Sequence, residues 1–303
     1  MKKIIITGGS GLLGSHIAKT LQQHNYEPAL LTRRQNSKIP YRQFLWDPKA
    51  GTIDENVFKD CDAIMHLAGA NVAGNRWTKA YKEEIISSRV ESARLLHNTM
   101  HRIQKKIKVF ISASASGYYP ANATILLEEH MPPADSFLGA TCRQWEAAAD
   151  TFQSNADRVV KFRIGIVLSA QGGALQVMHR SMPFRVSGIF GNGRQIYPWI
   201  HIADAAHMFM YALQQPLQGA YNAVAPETSS LLDIISNLEQ AIGHKTLHLP
   251  APQFVLRTLL GEFADSLYAS QHISSKKITD AGYRFQYPTL QQAIRSLYGS
   301  KPC

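Results

Sequence analysis

The first half of the chain alternates short apolar runs with longer stretches in which apolar residues recur every three or four positions. Lys3–Thr7, Pro28–Thr32, Gln43–Trp46, Ala63–Leu67, Val109–Ala113 and Val159–Ile164 have the length and composition of strands. Leu12–His24, Lys79–Ile103 and Leu138–Phe152 carry the helical period. Strands alternating with helices fold as a parallel sheet with right-handed crossovers and helices on both faces, so the pattern predicts a doubly wound α/β domain. After about residue 170 the pattern changes. Glycines cluster at Gly172, Gly173, Gly188, Gly191 and Gly193, and helical periodicity returns near Ser229–Ile242, Pro252–Phe263 and Leu290–Leu297. The expected division is a sheet domain over 1–170 and a smaller, mostly α C-terminal lobe over 171–303, docked on the carboxyl edge of the sheet.

Composition narrows the class. The 303 residues are 45% hydrophobic and 18% charged, which excludes intrinsic disorder. Three cysteines (Cys61, Cys142 and Cys303) without a CxxC pair exclude a disulfide scaffold and suit a reducing, cytoplasmic compartment. The apolar run at the start ends at Thr7-Gly8, too short for a signal peptide. The uncharged stretch Val109–Leu127 holds serines, Gly117, Pro120 and Asn122, which hydrocarbon would leave unsatisfied, so no membrane span is expected. A net charge of +10 favours anionic partners without naming them.

The first chemical signal is Thr7-Gly8-Gly9-Ser10-Gly11-Leu12-Leu13-Gly14, between the first strand and the first helix. In this Rossmann-type turn Gly8 allows the tight bend, Gly11 lets the backbone approach a pyrophosphate, and Gly14 lets the helix pack on the strand. The helix N-terminus then offers unpaired N–H groups to the phosphates. The second strand ends Thr32-Arg33-Arg34, where an NAD site would place an acid for the ribose 2′-hydroxyl. A hydroxyl and two guanidiniums suit a 2′-phosphate, so the expected cofactor is NADP.

With these motifs the chain resembles an atypical extended short-chain dehydrogenase/reductase (SDR), of the "nucleoside-diphosphate-sugar epimerase" type with a C-terminal extension over about 250–300. The resemblance rests on His66-Leu67-Ala68-Gly69-Ala70-Asn71, Arg76-Trp77, Ser88-Arg89, Ser116-Gly117-Tyr118-Tyr119, Trp145-Glu146 and Arg163–Leu168. Gly172-Gly173-Ala174, Pro198–Asp204 and Leu259–Leu290 extend it. It implies cofactor contacts at Gly8, Gly11, Leu13, Gly14, Thr32 and Arg33, and at Leu67, Ala68 and Gly69 beside the adenine–ribose side. In the long helix, Ile86, Val90, Ala93 and Met100 are expected to form an apolar stripe bordered by Arg89, with Glu84 one turn earlier; the resemblance places Glu84 and Arg89 near the cofactor. Val167 is expected near the nicotinamide.

SDR chemistry uses a Ser, a Tyr and a Lys four residues after the Tyr. Ser114 fits the first role. Anchoring the following helix on Glu146, which trails the lysine by four, puts Leu138 at the tyrosine position and Cys142 at the lysine position. Both groups are replaced. Tyr118 or Tyr119 is then the candidate proton carrier, Arg143 a partial substitute for the charge, and the alternative is a pocket that binds NADP(H) without ordinary turnover. The substrate is expected to be a small molecule, a carbonyl compound or a sugar nucleotide.

Other chemistry is weaker. His97/His101 and His244/His248 have one-turn spacing without the acid of a zinc motif, so no metal is expected. His201 and Asp204 either border the substrate cleft or hold the C-terminal lobe. Lys105-Lys106-Lys108 and Lys276-Lys277 lack interleaved aromatics and predict solvated faces. Neither a nucleic-acid nor a membrane partner is expected.

Overall fold

The computed structural model describes residues 2–121 and 124–299, without the Leu259 side chain; Met1, Asn122 and Cys303 lie outside them. The chain runs β1 (Lys2–Thr7), α1 (Leu12–Gln23), β2 (Tyr26–Thr32), β3 (Arg42–Asp47), β4 (Thr52–Ile53), β5 (Cys61–His66), α2 (Lys79–Arg102), β6 (Ile107–Ala115) and α3 (Phe137–Asp150). Next come β7 (Ala156–Ile164), β8 (Ile166–Leu168), α4 (Gly173–His179), β9 (Val186–Phe190), β10 (Ile196–Tyr197), β11 (Trp199–His201), α5 (Ile202–Gln214) and β12 (Gly219–Ala223). The remainder is β13 (Ser229–Ser230), α6 (Leu231–Ile242), β14 (Leu247–Ala251), α7 (Gln253–Leu260), α8 (Phe263–Ser266), α9 (Lys276–Asp280) and α10 (Leu290–Tyr298).

Eight strands form the main sheet in the order β12-β7-β6-β5-β1-β2-β3-β4. All neighbours are parallel except β3 and β4. Both faces of the central strands β1, β2, β5 and β6 are covered, so these read as near-continuous apolar runs, whereas β3 toward the edge alternates. Ile4 and Ile6 of β1 enter a core with Ile17 and Leu21 of α1 and Met208 and Phe209 of α5. Ile5 enters the opposite core with Leu96 and Met100 of α2. The strand order reverses between β2 and β5 on either side of β1, and a crevice at such a point is where ligands of doubly wound sheets lie.

The structure reproduces the predicted strands, most with longer ends, while β5 stops at His66, one residue short of the expected Leu67. β6 continues through Ser112 and Ser114 because both hydroxyls find partners inside, Ser114 on Glu146. Chain beyond residue 170 returns to the main sheet: α5 packs on its face and β12 adds its edge strand. No apolar run announces Gly219–Ala223, because Asn222 is there for its hydrogen bonds. The expected helix at 252–263 is two helices, α7 and α8, parted by Gly261 at φ +65°. The small lobe has its own core, where Leu175, Trp199, Leu231, Ile234, Leu238, Leu290 and Ile294 meet.

Asp204 fastens the closing segment to α5. Its fully buried carboxylate accepts the Tyr283 hydroxyl at 3.0 Å and the amides of Gln286 and Tyr287 at 2.8 and 2.9 Å. His201 caps α5, its Nδ1 accepting the Ala203 amide, and stacks on Tyr287. Of the two roles open to these residues, both hold the lobe.

Among the described residues no helix is long and apolar enough to cross a membrane.

Candidate functional site

The crevice at the carboxyl ends of β1 and β5 is built from glycines that admit no side chain. Gly8 has φ +68°, and a Cβ there would lie 2.8 Å from the Leu67 carbonyl oxygen. A Cβ on Gly14 would lie 2.2 Å from the Gly8 oxygen, so α1 touches the loop backbone directly. Gly11 caps α1 without a side-chain acceptor, leaving the first-turn amides without a capping oxygen. The Thr7 hydroxyl accepts the amides of Leu67 and Ala68, each at 3.1 Å, and locks the ends of the two strands together. His66, wholly buried, lies 2.9 Å from that hydroxyl through Nδ1, and burial pushes its pKa down to about 4. Leu13 and Val167 pack on the same core, and the Val167 carbonyl lies close to Gly173, which also meets Leu12.

Arg33 and Arg34 are exposed at the end of β2, and no carboxylate pairs with either among the described residues. The Thr32 hydroxyl donates to the Arg34 carbonyl at 2.7 Å and shapes this turn. Glu84 stands apart, facing outward 3.8 Å from Lys49.

Arg89 departs from expectation. The buried face of α2 runs through Tyr81, Ile85, Arg89, Ser92, Leu96 and Met100, so Arg89 lies within the apolar stripe and not on its border. Ile86 and Val90 are only half-buried. The guanidinium, 7% exposed, donates to the carbonyls of Ile85 and Ala70 at 2.8 and 3.1 Å and stacks 4.8 Å from the Trp145 ring. Gly69 is glycine because a Cβ there would lie 2.9 Å from Arg89 Cζ. No carboxylate balances this cation among the described residues, and burial lowers its pKa. Beside it the Trp145 indole N–H is buried without a partner. A buried cation and an orphaned donor together fit an anionic ligand.

At the end of β6 the hydroxyl of Ser114 donates to Glu146 at 2.8 Å. Arg163 of β7 grips the same carboxylate with Nε at 2.8 Å and an Nη at 3.0 Å. Its other Nη donates to the Tyr119 hydroxyl at 2.9 Å and the Glu129 carbonyl at 3.0 Å. Tyr119 in turn donates to Asn222 at 2.7 Å; it is buried, and burial pushes its pKa up to about 12. Tyr118 is half-buried with its ring 3.4 Å from the Arg163 guanidinium, and burial raises its pKa against the opposing effect of that cation. Ser114 and Tyr119 thus share one buried polar network through Glu146 and Arg163, and Tyr118 borders it with its ring on Arg163. The sequence shows Arg163 only as part of a family motif, with no role, and does not single out Asn222; an arginine inside the apolar run Val159–Ile164 is the available signal.

Helix α3 contains neither tyrosine nor lysine. Leu138 lies against Gly117, where a Cβ would meet it at 3.1 Å. Cys142 Sγ lies 3.7 Å from the Ala115 carbonyl, and burial pushes its thiol up to about 11. The closing segment borders this end of the sheet: Gln271 donates to the carbonyl of Tyr119 at 3.0 Å, Trp77 contacts both Phe137 and Phe263, and Lys82 pairs with Glu262.

Residues 4–224 match the model of the NAD-dependent epimerase/dehydratase family, and residues 251–297 match a domain of unknown function, DUF1731. An epimerase family protein of Staphylococcus epidermidis is 32% identical over 98% of this chain and 99% of its own. Among solved structures, the human epimerase family protein SDR39U1 with NADPH is similar at a TM-score of 0.86, with 27% identity over 98% of this chain and 99% of that one. MoeE5 in complex with UDP-glucuronic acid and NAD shares the fold at a TM-score of 0.80, with 18% identity over 98% and 97%.

Proposed function

The chain belongs to the NAD-dependent epimerase/dehydratase family, and from that premise we propose that it is an NADP(H)-binding member working without the Tyr-x-x-x-Lys pair. On this reading it is an oxidoreductase or epimerase acting on a small carbonyl or sugar-nucleotide substrate. The observation that carries it is a set of cations that no carboxylate balances among the described residues: Arg33 and Arg34 after β2, and Arg89 beneath Gly69.

The fit is chemical as well as steric. Uncapped amides of α1 bind a pyrophosphate, the Arg33–Arg34 turn gives charge-assisted hydrogen bonds to a 2′-phosphate, and Arg89 supplies fixed positive charge. NADPH in the human relative agrees with this choice, while NAD in MoeE5 belongs to a protein similar in fold alone. The chemistry that a bound nicotinamide brings is hydride transfer. The proton falls to Tyr118, because Tyr119 is engaged with Asn222 and Arg163, and Ser114 with Glu146. A phenol is protonated at neutral pH without any shift, so Tyr118 is available as the donor to a substrate oxygen.

A second reading, an NADP(H)-binding module without turnover, is favoured by that same engagement of Ser114 and Tyr119. Titration with NADPH and NADH, followed by absorbance loss at the nicotinamide band with a carbonyl panel and by product analysis with sugar nucleotides, whose epimerisation leaves that absorbance unchanged, separates the two. Turnover that disappears in Tyr118→Phe while NADPH binding persists supports the enzyme. NADPH binding without turnover supports the module. Equal affinity of an Arg33→Asp variant for NADPH, or no binding of either nucleotide by the native chain, overturns the cofactor assignment.

A further inference from the structure

Nine large apolar side chains are exposed among the described residues, and six of them fall in two short segments: Val177 and Phe184, then Leu247, Leu249, Phe254 and Val255. Four are at least 63% exposed, with Phe184 at 82% and Phe254 at 73%, far beyond ordinary partial exposure of a core residue. The fold joins the two segments. β14 pairs in parallel with β9, setting Leu247 opposite Val186 and Leu249 opposite Gly188. The Leu247 amide donates to the carbonyl of Arg185, the neighbour of Phe184. One face of this two-stranded ribbon covers the small-lobe core through Ile189. On the other face nothing lies within 4 Å of the Cβ direction at Gly188. At the end of β14, Pro252 leads straight into α7, an amphipathic helix in which none of the described side chains is buried.

Charge on this face is predominantly positive, with Glu239 engaged by Thr246 and His248 at the start of β14 and Asp265 by Arg257 of α7. Residues 173–195 and 240–261 contain no aspartate or glutamate. Arg180, Arg185, Arg194 and Lys245 are exposed, and none is in an ion pair among the described residues. Arg257 is neutralised by Asp265. Exposed aromatic and aliphatic side chains interleaved with unpaired cations are what an interfacial, non-spanning membrane contact requires. A second copy of this chain fits less well, since it would bring the same cations together on top of a net charge of +10.

We propose that this face of the small lobe, formed by the α4–β9 connection, β14 and α7, docks on an anionic lipid surface. This differs from the absence of a membrane partner expected of the sequence, because the segments holding Phe184 and Leu247, some sixty positions apart, come together only after β9 and β14 pair. It is independent of the cofactor reading.

The test is co-sedimentation of the full chain with vesicles rich in phosphatidylserine and with pure phosphatidylcholine vesicles. Binding to the former only, lost in high salt, is expected. An Arg185→Glu/Lys245→Glu double variant should lose at least about tenfold in partitioning, each cation near the surface contributing about that order of effect. Phe184→Asp/Phe254→Asp should abolish binding while melting temperature and NADPH affinity stay native, as these side chains support no core. Failure to sediment with anionic vesicles at low salt overturns the proposal, as does unchanged binding in either double variant. Two further outcomes would reassign the face: a dimer that the phenylalanine variant dissolves points to a second copy, and equal affinity for duplex DNA, insensitive to the phenylalanines, points to a polyanion site.

Discussion

Replacing Arg163 with methionine should be among the most damaging single substitutions outside the apolar core. The guanidinium makes two bonds to Glu146, one to Tyr119 and one to the Glu129 carbonyl, and both members of the ion pair are buried. Methionine fills much of the volume but leaves the Glu146 carboxylate in the interior with Ser114 as its remaining donor. Removing one partner of a buried pair costs about 3–5 kcal/mol, because the other charge keeps its desolvation penalty without its compensation. That is a large share of the roughly 5–15 kcal/mol that holds a domain together. Replacing both members by neutral groups of similar shape is far milder. In a cycle of Arg163→Met, Glu146→Gln and the double variant, followed by urea unfolding, each single variant should therefore lose about 3 kcal/mol or more. The double variant should lose less than either single one, a coupling of at least about 3 kcal/mol. Additive losses, or a cost below about 1 kcal/mol for Arg163→Met, would refute the view that this pair sets the register of α3 against β6 and β7.

Three further outcomes are expected. Arg89→Ala should weaken NADPH binding about 10- to 100-fold by calorimetry, the equivalent of a charge-assisted hydrogen bond of about 1.5–3 kcal/mol, while Cys142→Ala changes it little; the reverse order would place α3 in the wrong register. Acid should destabilise the fold through His66 and His201, which burial holds at about 4 against an ordinary 6.5. The unfolded chain takes up these protons first, so stability is full above 6.5 and falls by about 2–3 kcal/mol per pH unit toward 4, a slope that His66→Gln and His201→Gln should flatten. Asp204→Asn should cost about 2–4 kcal/mol and speed hydrogen exchange selectively in residues 283–298, since an amide cannot serve all three donors that the carboxylate holds; uniform exchange across the chain would contradict its role as the clasp.

How far such a site can be read from sequence depends on what each residue does. The glycine loop was legible because Gly8 and Gly14 answer to backbone geometry at fixed spacing, and nothing distant alters that need. The parallel sheet was legible because covered strands are apolar end to end. β12 was not, since Gly219–Ala223 is chosen for a buried asparagine and not for apolar content. Nor was the true orientation of α2. Counting Ile86 and Val90 as core is natural by hydropathy, but the helix turns Arg89 inward, toward Trp145 and the Ala70 carbonyl, partners that lie 56 and 19 residues away in sequence. Likewise Tyr118 and Tyr119 are adjacent and chemically equal in the sequence, and only the arrival of Asn222 and Arg163 distinguishes them.

The buried pair also bears on the altered helix. Glu146 is held bidentately by Arg163 and again by Ser114, so α3 has no freedom to slide along β6. Cys142 and Leu138 stand one and two turns before Glu146, and this grip fixes them against the Ala115 carbonyl and Gly117. No residue of α3 is a tyrosine or a lysine, and the side chains it sets beside Gly117 and the Ala115 carbonyl are Leu138 and Cys142. Restoring Leu138→Tyr and Cys142→Lys would force a phenol against Gly117 and an ammonium beside Arg89 into space already packed, with a second cation where one is unbalanced already. On the proposed reading, fixed charge comes instead from α2 and the proton from the loop after β6. Cofactor binding and proton transfer then rest on two different elements, Arg89 and Tyr118, and each can be removed without the other.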